Sequence, residues 1–363
     1  MVFLAAPLAA QPRGFKPPGS QGGPGGVFKF PEQPPPPSEG LFDLLKSTVP
    51  ETRRQGAMML ARSRLPGSTT ALLPLLQDPT TGVRSQAAES LGQLGAAEAA
   101  PQLIGLLNDR DPSVRGSAAG ALGMVHVATA APAVAELTAD PVPSVRARAA
   151  WSLGVLQATG STDRIIALLD DPDETVRSSA LIAAGTMKSL SAAPAGAAAV
   201  EKATAPAVVR DGAWVLKDLM EVAASTAPGV RGRSPAVSAA LLDGLLSVLK
   251  KGDAIARATA CQGLGLSGQA RARGPLLEAL NDIEPTVRYQ AAAGLGKAGD
   301  RAAWGPLEKA LGDVNSGVRS MAAQSLGMLG DHSAIPALEK MATEDRDRYV
   351  RQAAKDALDK LRR

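Results

Sequence analysis

The sequence contains few of the residues from which disulfide frameworks, metal centres and redox sites are built. Its 363 residues include one cysteine and two histidines, which excludes an internal disulfide framework and a Cys-rich zinc site. Only 3% of the residues are aromatic although 45% are hydrophobic, so the core must consist largely of Ala, Leu and Val. No apolar run of about 18 residues occurs, so the sequence predicts no transmembrane segment. This composition favours closely packed helices.

Charge and catalytic motifs are equally sparse. The 39 basic and 35 acidic residues are interspersed and give a net charge of +4, which argues against a basic stripe for nucleic acid. The sequence has no G-x-S-x-G elbow, no Walker loop and no G-x-G-x-x-G after a strand. We therefore expect no catalytic residue, no cofactor and no metal site.

Residues 1–40 differ in composition from the rest of the chain. They hold ten of the 28 prolines and seven glycines, which predicts a disordered Pro/Gly-rich tail. The first residues, "MVFLAAPLAAQP", resemble the end of a secretory signal with an A-x-A-like cleavage site, but they lack a basic start. Export to the periplasm and a cytoplasmic location both stay open.

Residues 41–363 are dominated by an internal repeat of 31 residues. Its marker is an arginine that recurs every 31 residues, at Arg53, Arg84, Arg115, Arg146 and Arg177, again at Arg257, Arg288 and Arg319, and after 32 residues at Arg351. A degenerate copy, "VVRDGAWVLKDLM", places one more arginine at Arg210 and leaves an insertion loop at about 221–236. The sequence thus predicts about ten repeats.

Each repeat is predicted to be a pair of helices. Val83, Ala87, Leu91 and Leu94 form one stripe at helical spacing and Gly95 ends that helix. A proline followed by leucines, as in "PQLIGLL" at 101–107, marks the helix before it. An aspartate six residues before the arginine suits the tight turn between the two helices. The predicted fold class is all-α, an α-solenoid of two-helix repeats.

The pattern "DPxxxVRxxAAxxLGxLG", nearly intact at 78–95, resembles that of bacterial HEAT-repeat proteins with lyase-like (PBS lyase type) HEAT repeats. The resemblance implies an α-solenoid whose second helices line a concave face. The resemblance also implies enzymatic relatives. These include bilin lyases and a deoxyhypusine hydroxylase whose two irons are held by His-Glu pairs. Neither His126 nor His332 is followed by Glu, so the hydroxylase does not fit.

The repeated Asp and Arg are interpreted as a structural ladder, because a catalytic pair would not recur in nearly every repeat. Cys261 stands where other repeats have a small core alanine, and we interpret it as an inert core residue.

Residues two, six and ten positions after the repeat's valine are expected to face the concave groove. In the middle repeats they form an apolar band, which predicts a partner-binding site around Trp151 with polar or amphipathic flanking residues. The alternative is that curvature or the insertion buries this band as core. The predicted groove residues are Met124, Arg148, Trp151, Val155, Ile182, Val215, Leu219, Gln262 and Tyr289.

Three functions follow as hypotheses. The first is a non-enzymatic scaffold that binds a protein or peptide in the groove. The second is a chromophore-handling protein like the bilin lyases, which requires a pocket with acid and base groups. The third is a nucleic-acid-binding HEAT-like solenoid, which requires Lys and Arg along the groove.

Overall fold

The computed structural model describes residues 38–225 and 235–362, and this part of the chain is all-helical, with no strand. The predicted tail, apart from its last three residues, and the centre of the predicted insertion lie outside the described residues. Twenty α-helices follow one another, and each odd-numbered helix forms a hairpin with the even-numbered helix after it. The ten hairpins confirm the predicted α-solenoid of ten repeats.

The first helix is short in every repeat except the seventh, and from the second repeat onward it mostly adjoins a 3-10 turn. These helices are α1 Ser38–Leu44, α3 Ser68–Leu72, α5 Ala100–Gly105, α7 Ala131–Glu136, α9 Thr162–Leu168, α11 Ala193–Lys202, α13 Pro235–Lys251, α15 Arg273–Ala279, α17 Trp304–Ala310 and α19 Ile335–Glu344. Except in the seventh repeat, where the first helix has 17 residues and the second has 14, the second helix is longer. These helices are α2 Pro50–Ser63, α4 Thr81–Leu94, α6 Pro112–Met124, α8 Pro143–Val155, α10 Glu174–Thr186, α12 Pro206–Ser225, α14 Ala254–Ser267, α16 Pro285–Ala298, α18 Ser316–Leu329 and α20 Arg348–Leu361. None of the described helices is long and apolar enough to span a bilayer.

The bounds of the second helices follow from local sequence. In α6, Pro112 occupies the first turn, and the Asp111 carboxylate accepts a hydrogen bond from the Ser113 amide at 2.8 Å. The helix α4 ends at Gly95, whose φ of 71° places it in the left-handed region. Gly299 and Gly330 end α16 and α18 in the same way, as predicted.

Small residues bring successive even-numbered helices together. A Cβ atom on Gly92 would lie 2.8 Å from the Ala121 Cα, and one on Gly154 would lie 2.8 Å from the Ala183 Cα. The glycine of the "LG" pattern is therefore required because the next helix occupies the space of a side chain. Odd-numbered helices make far fewer contacts with one another, except α11 with α13. The closer packing on the even side makes the even-numbered helices the inner, concave surface.

The Arg–Asp ladder runs along the turns between the helices. Arg115 donates from Nε to Asp140 Oδ2 at 2.7 Å and from Nη2 to Asp140 Oδ1 at 2.9 Å, and from Nη1 to the Asp109 carbonyl at 2.9 Å. The Asp140 carboxylate also accepts the Val142 amide at 2.9 Å. The same bidentate pairing joins Arg53–Asp78, Arg84–Asp109, Arg146–Asp171, Arg257–Asp282, Arg288–Asp313 and Arg319–Asp345. The predicted structural ladder is confirmed.

The ladder is interrupted on both sides of the sixth repeat. Ala203 and Lys251 occupy the turn positions that hold the aspartate in the regular repeats. Arg177 consequently has no bidentate carboxylate, and its buried Nε has no hydrogen-bond partner in the described structure. The Lys251 ammonium instead donates to the carbonyls of Val200, Glu201 and Ala203 at 2.7–2.8 Å and caps α11. The sixth repeat therefore joins two regular stretches of solenoid.

Candidate functional site

Five of the nine predicted groove residues lie together on three neighbouring concave helices. Met124 is on α6, Arg148, Trp151 and Val155 are on α8, and Ile182 is on α10, and each is partly exposed. Because α6, α8 and α10 pack in sequence, these side chains form one continuous patch on the inner surface.

Val215 and Leu219, which the sequence analysis placed beside that patch, are in the hydrophobic core, each with 1% exposure. Their predicted exposure is wrong because the sixth repeat was aligned one residue too late. A Cβ on Gly185 would lie 2.9 Å from a Val215 methyl group, so Val215 fills the helix contact that Ala121 and Ala183 fill in other repeats. On the other side of α12, Lys217 contacts α14 near Gly263, and this contact supports the same alignment of the sixth repeat.

In this register the repeat's valine is Val208, and the residue six positions later is Trp214. Trp214 is 41% exposed, and it occupies on α12 the place that Trp151 occupies on α8 and Ile182 on α10. We call Trp151, Ile182 and Trp214 the apolar row. Trp214 was not predicted as a groove residue because the sixth repeat lacks the glycine that fixes the register elsewhere. One signal in the sequence could have located it. Ala203 stands where an aspartate is expected and precedes Val208 by five residues, which is the separation of the aspartate and the valine in the regular repeats.

The side chains of the patch lean back over glycines of the preceding repeat. The Cζ3 atom of Trp151 lies 3.0 Å from the place of a Cβ on Gly123, and the Met124 methyl lies 2.8 Å from that of Gly92. Arg148 extends over Gly120, with Cδ at 2.9 Å and Nε at 3.3 Å from the place of a Cβ. The glycines thus provide the floor on which these long side chains rest.

A charged cluster lies at the amino-terminal side of the apolar row. Burial lowers the pKa of Arg148, and the nearby Glu89 carboxylate partly offsets that effect. Glu89 accepts a hydrogen bond from the Ser117 hydroxyl at 2.9 Å, and the Ser85 and Ser117 hydroxyls lie 2.8 Å apart. No carboxylate of the described residues lies within ion-pair distance of Arg148.

A carboxylate lies at the other side of the apolar row. Asp211, on α12, accepts a hydrogen bond from the Ser178 hydroxyl at 2.7 Å. Burial raises its pKa, although the Ser178 hydrogen bond and the Arg210 charge partly offset this. Asp211 stands three positions after Val208, as Arg148 stands three after Val145, so the two charges occupy equivalent positions two repeats apart.

The remaining predicted groove residues lie apart from this patch. Gln262 is on α14 and Tyr289 is on α16, both partly exposed, beyond the irregular sixth repeat. Open clefts also occur on the outer side, such as one of about 730 Å³ between α15 and α17 that is lined by the Arg288–Asp313 pair. We do not assign this cleft to binding, because its charged pair already belongs to the ladder.

Two other residues singled out in the sequence occupy structural positions. Cys261 is fully buried, and burial raises the pKa of its thiol to about 12, with Asp282 adding to this effect. His126 ends α6 with a φ of 53°. Within 38–225 and 235–362, no group of His, Cys, Asp and Glu side chains has an arrangement that could hold a metal ion.

Comparison with known proteins identifies the repeats. A family profile described as HEAT repeats matches residues 38–123, 70–154, 130–217, 242–313 and 275–359. None of the curated proteins compared with this sequence matches it. Among solved structures, an engineered protein is 21% identical with a TM-score of 0.58, covering 90% of this chain and 98% of its own. Importin beta is 14% identical with a TM-score of 0.61, covering 89% of this chain and 51% of its own. The CpcE–CpcF complex of phycocyanin lyase from Nostoc sp. is 19% identical with a TM-score of 0.40, covering 93% of this chain and 100% of its own. At these identities the likeness concerns the fold alone.

Proposed function

Because the chain belongs to the HEAT-repeat family, we propose that it is a non-enzymatic scaffold that binds a protein or peptide in the concave groove of repeats 3–6. The observation that carries this proposal is the apolar row, in which Trp151, Ile182 and Trp214 line successive inner helices and remain partly exposed. Large apolar side chains on an open concave surface are typical of partner-binding sites, and tryptophan is among the residues most enriched in binding hot spots.

The solenoid supports binding by holding these side chains in place before a partner arrives. Their positions are set by glycine contacts between helices and by the Arg–Asp ladder along the turns between the helices. A preformed receptor loses little conformational entropy on binding, so more of the contact energy appears as affinity.

The other titratable groups support a structural rather than a catalytic role. Seven Asp–Arg pairs are used by the ladder, and the Cys261 thiol is buried. Within the family, we assign the repeats to the lyase-like (PBS lyase type) group of bacterial proteins, on the pattern at 78–95. This assignment concerns ancestry, since a shared fold does not carry an activity with it.

A pull-down from the native source tests the proposal. The wild type is compared with a Trp151→Ala/Trp214→Ala variant and with a control, Ile283→Ala, which removes a side chain that is 86% exposed in a turn outside the groove. Circular dichroism establishes that all three are folded. We expect partners to bind the wild type and the control and to be lost from the double variant. Partners retained by the folded double variant would contradict a site on the apolar row.

A further inference from the structure

The two partly buried charges beside the apolar row specify the partner more closely. Arg148 and Asp211 occupy equivalent positions on α8 and α12, and α10 lies between these helices. The row of Trp151, Ile182 and Trp214 runs beside them across the same three helices. A ligand that covers the row therefore passes a cation at one end and an anion at the other.

Arg148 lacks the partners that the seven paired ladder arginines have. Ladder arginines such as Arg115 make bidentate bonds to a carboxylate and further bonds to carbonyls. Among the described residues, Arg148 donates no hydrogen bond and no carboxylate oxygen lies within 4 Å of its nitrogens. Its stem lies flat over Gly120, so the guanidinium is held at the groove floor. A half-buried guanidinium with free donors is suited to bind a carboxylate in bidentate geometry.

Asp211 offers the complementary charge. The Ser178 hydroxyl holds one of its oxygens at 2.7 Å, which leaves acceptor capacity on a carboxylate that is partly removed from water. A cationic side chain brought to this position would replace the solvation that burial has removed.

The distance between the two charges sets the length of the ligand. Two helix-to-helix spacings of about 8–10 Å each separate α8 from α12. An extended chain advances about 3.3 Å per residue, so five or six residues cover this distance. Building on the proposed function, we infer that the groove takes an extended segment with an acidic side chain at Arg148, a basic side chain five or six residues away at Asp211, and apolar side chains between them on the apolar row.

A random linear peptide library displayed on phage tests this inference, because selection from it requires no identified partner. Selection is run on the wild type, on the charge swap Arg148→Glu/Asp211→Arg, and on the exposed-site control Arg110→Glu. We expect wild type and control to enrich peptides with one acid and one base five or six residues apart, in one fixed order. The swap should enrich the reverse order.

Charge-neutralising variants measure the effect on affinity where the swap perturbs folding. For a peptide selected on the wild type, Arg148→Gln and Asp211→Asn should each weaken binding at least about tenfold, because each removes a charged hydrogen bond. Fluorescence polarisation gives these affinities. Arg110→Gln should leave them unchanged.

The outcomes separate this inference from the proposed function. Peptides that need the apolar row but show no charge order, or that bind the two charge-neutralising variants as well as the wild type, would overturn the charge assignment and leave the scaffold intact. No enrichment on the wild type would count against the groove as a peptide site altogether. A dimer of the purified protein that dissociates on Trp214→Ala would show that a second copy fills the groove, which would also overturn the inference.

Discussion

Restoring the missing aspartate in the turn between α11 and α12 should repair the Arg–Asp ladder. Ala203 has φ −64° and ψ 135°, close to the values of −55° and 138° at Asp78 and −63° and 135° at Asp345. The backbone is therefore ready to present a carboxylate to the Nε and Nη2 atoms of Arg177, which lies one repeat earlier. A hydrogen-bonded charge pair of this kind contributes about 1.5–3 kcal/mol.

In the single variant Ala203→Asp, the Glu174 carboxylate opposes that gain in stability. Its Oε1 accepts the amides of Thr204 and Ala205, each at 2.9 Å, and lies 3.8 Å from Arg177 Nη2. Two carboxylates about 5 Å apart repel by roughly 3 kcal/mol at an effective dielectric constant of about 20. We therefore expect Ala203→Asp alone to change stability little, because the gain and the repulsion nearly cancel.

Ala203→Asp combined with Glu174→Gln should be more stable than Glu174→Gln alone by about 2 kcal/mol, which is the charged hydrogen-bond gain without the repulsion. Urea unfolding followed by circular dichroism measures this difference. The same substitutions in an Arg177→Gln background form the control, since they lack the guanidinium. An equal gain in that background, or no gain in its presence, would refute the register assigned to the sixth repeat.

Three further predictions concern the regular repeats. Asp140→Ala should destabilise the protein by about 3 kcal/mol because it leaves the buried Arg115 guanidinium unpaired, whereas Asp170→Ala, which removes an exposed pair with Lys202, should leave the urea midpoint nearly unchanged. Burial acts to raise the pKa of Asp140, but the hydrogen bonds from Arg115 and the Val142 amide outweigh it and lower that pKa. The contribution of Asp140 to stability is thus complete above its unfolded-state pKa of about 3.9 and is lost as the pH falls through its lower folded-state pKa. In acid titrations the wild type should therefore lose stability more steeply than Asp140→Asn. Gly154→Ala should cost about 1–3 kcal/mol, because its Cβ would overlap Ala183, while Gly105→Ala, with nothing within 4 Å of its Cβ, should not lower the thermal midpoint.

The fold could be predicted from the sequence because the same local sequence pattern recurs in successive repeats. The arginine spacing, the aspartate turn and the helix-ending glycines Gly95, Gly299 and Gly330 each point to the same two-helix unit. Agreement between independent local signals is what makes a fold predictable. The partner of each ladder arginine was less obvious, since the aspartate that it binds lies in the next repeat rather than its own.

The exposure of the predicted groove residues was predicted correctly only where the repeat is regular. Met124, Trp151 and Ile182 could be placed on the concave face because their repeats keep the valine and the glycine in register. In the sixth repeat both Arg210 and Val209 compete for the arginine position, and a one-residue error exchanges Trp214 for Val215. Packing against Gly185 decides between them, and that contact lies outside the repeat's own sequence.

Fluorine NMR of the protein labelled with fluorotryptophan tests the groove most directly. The chain has three tryptophans: Trp151 and Trp214 lie in the apolar row, and Trp304 begins α17 on the outer side as an internal control. Single Trp→Phe variants assign the three resonances, and a peptide selected on the wild type is then added. We predict that the resonances of Trp151 and Trp214 shift while that of Trp304 stays in place. A shift of Trp304 alone, or no shift during saturable binding, would contradict binding in the concave groove.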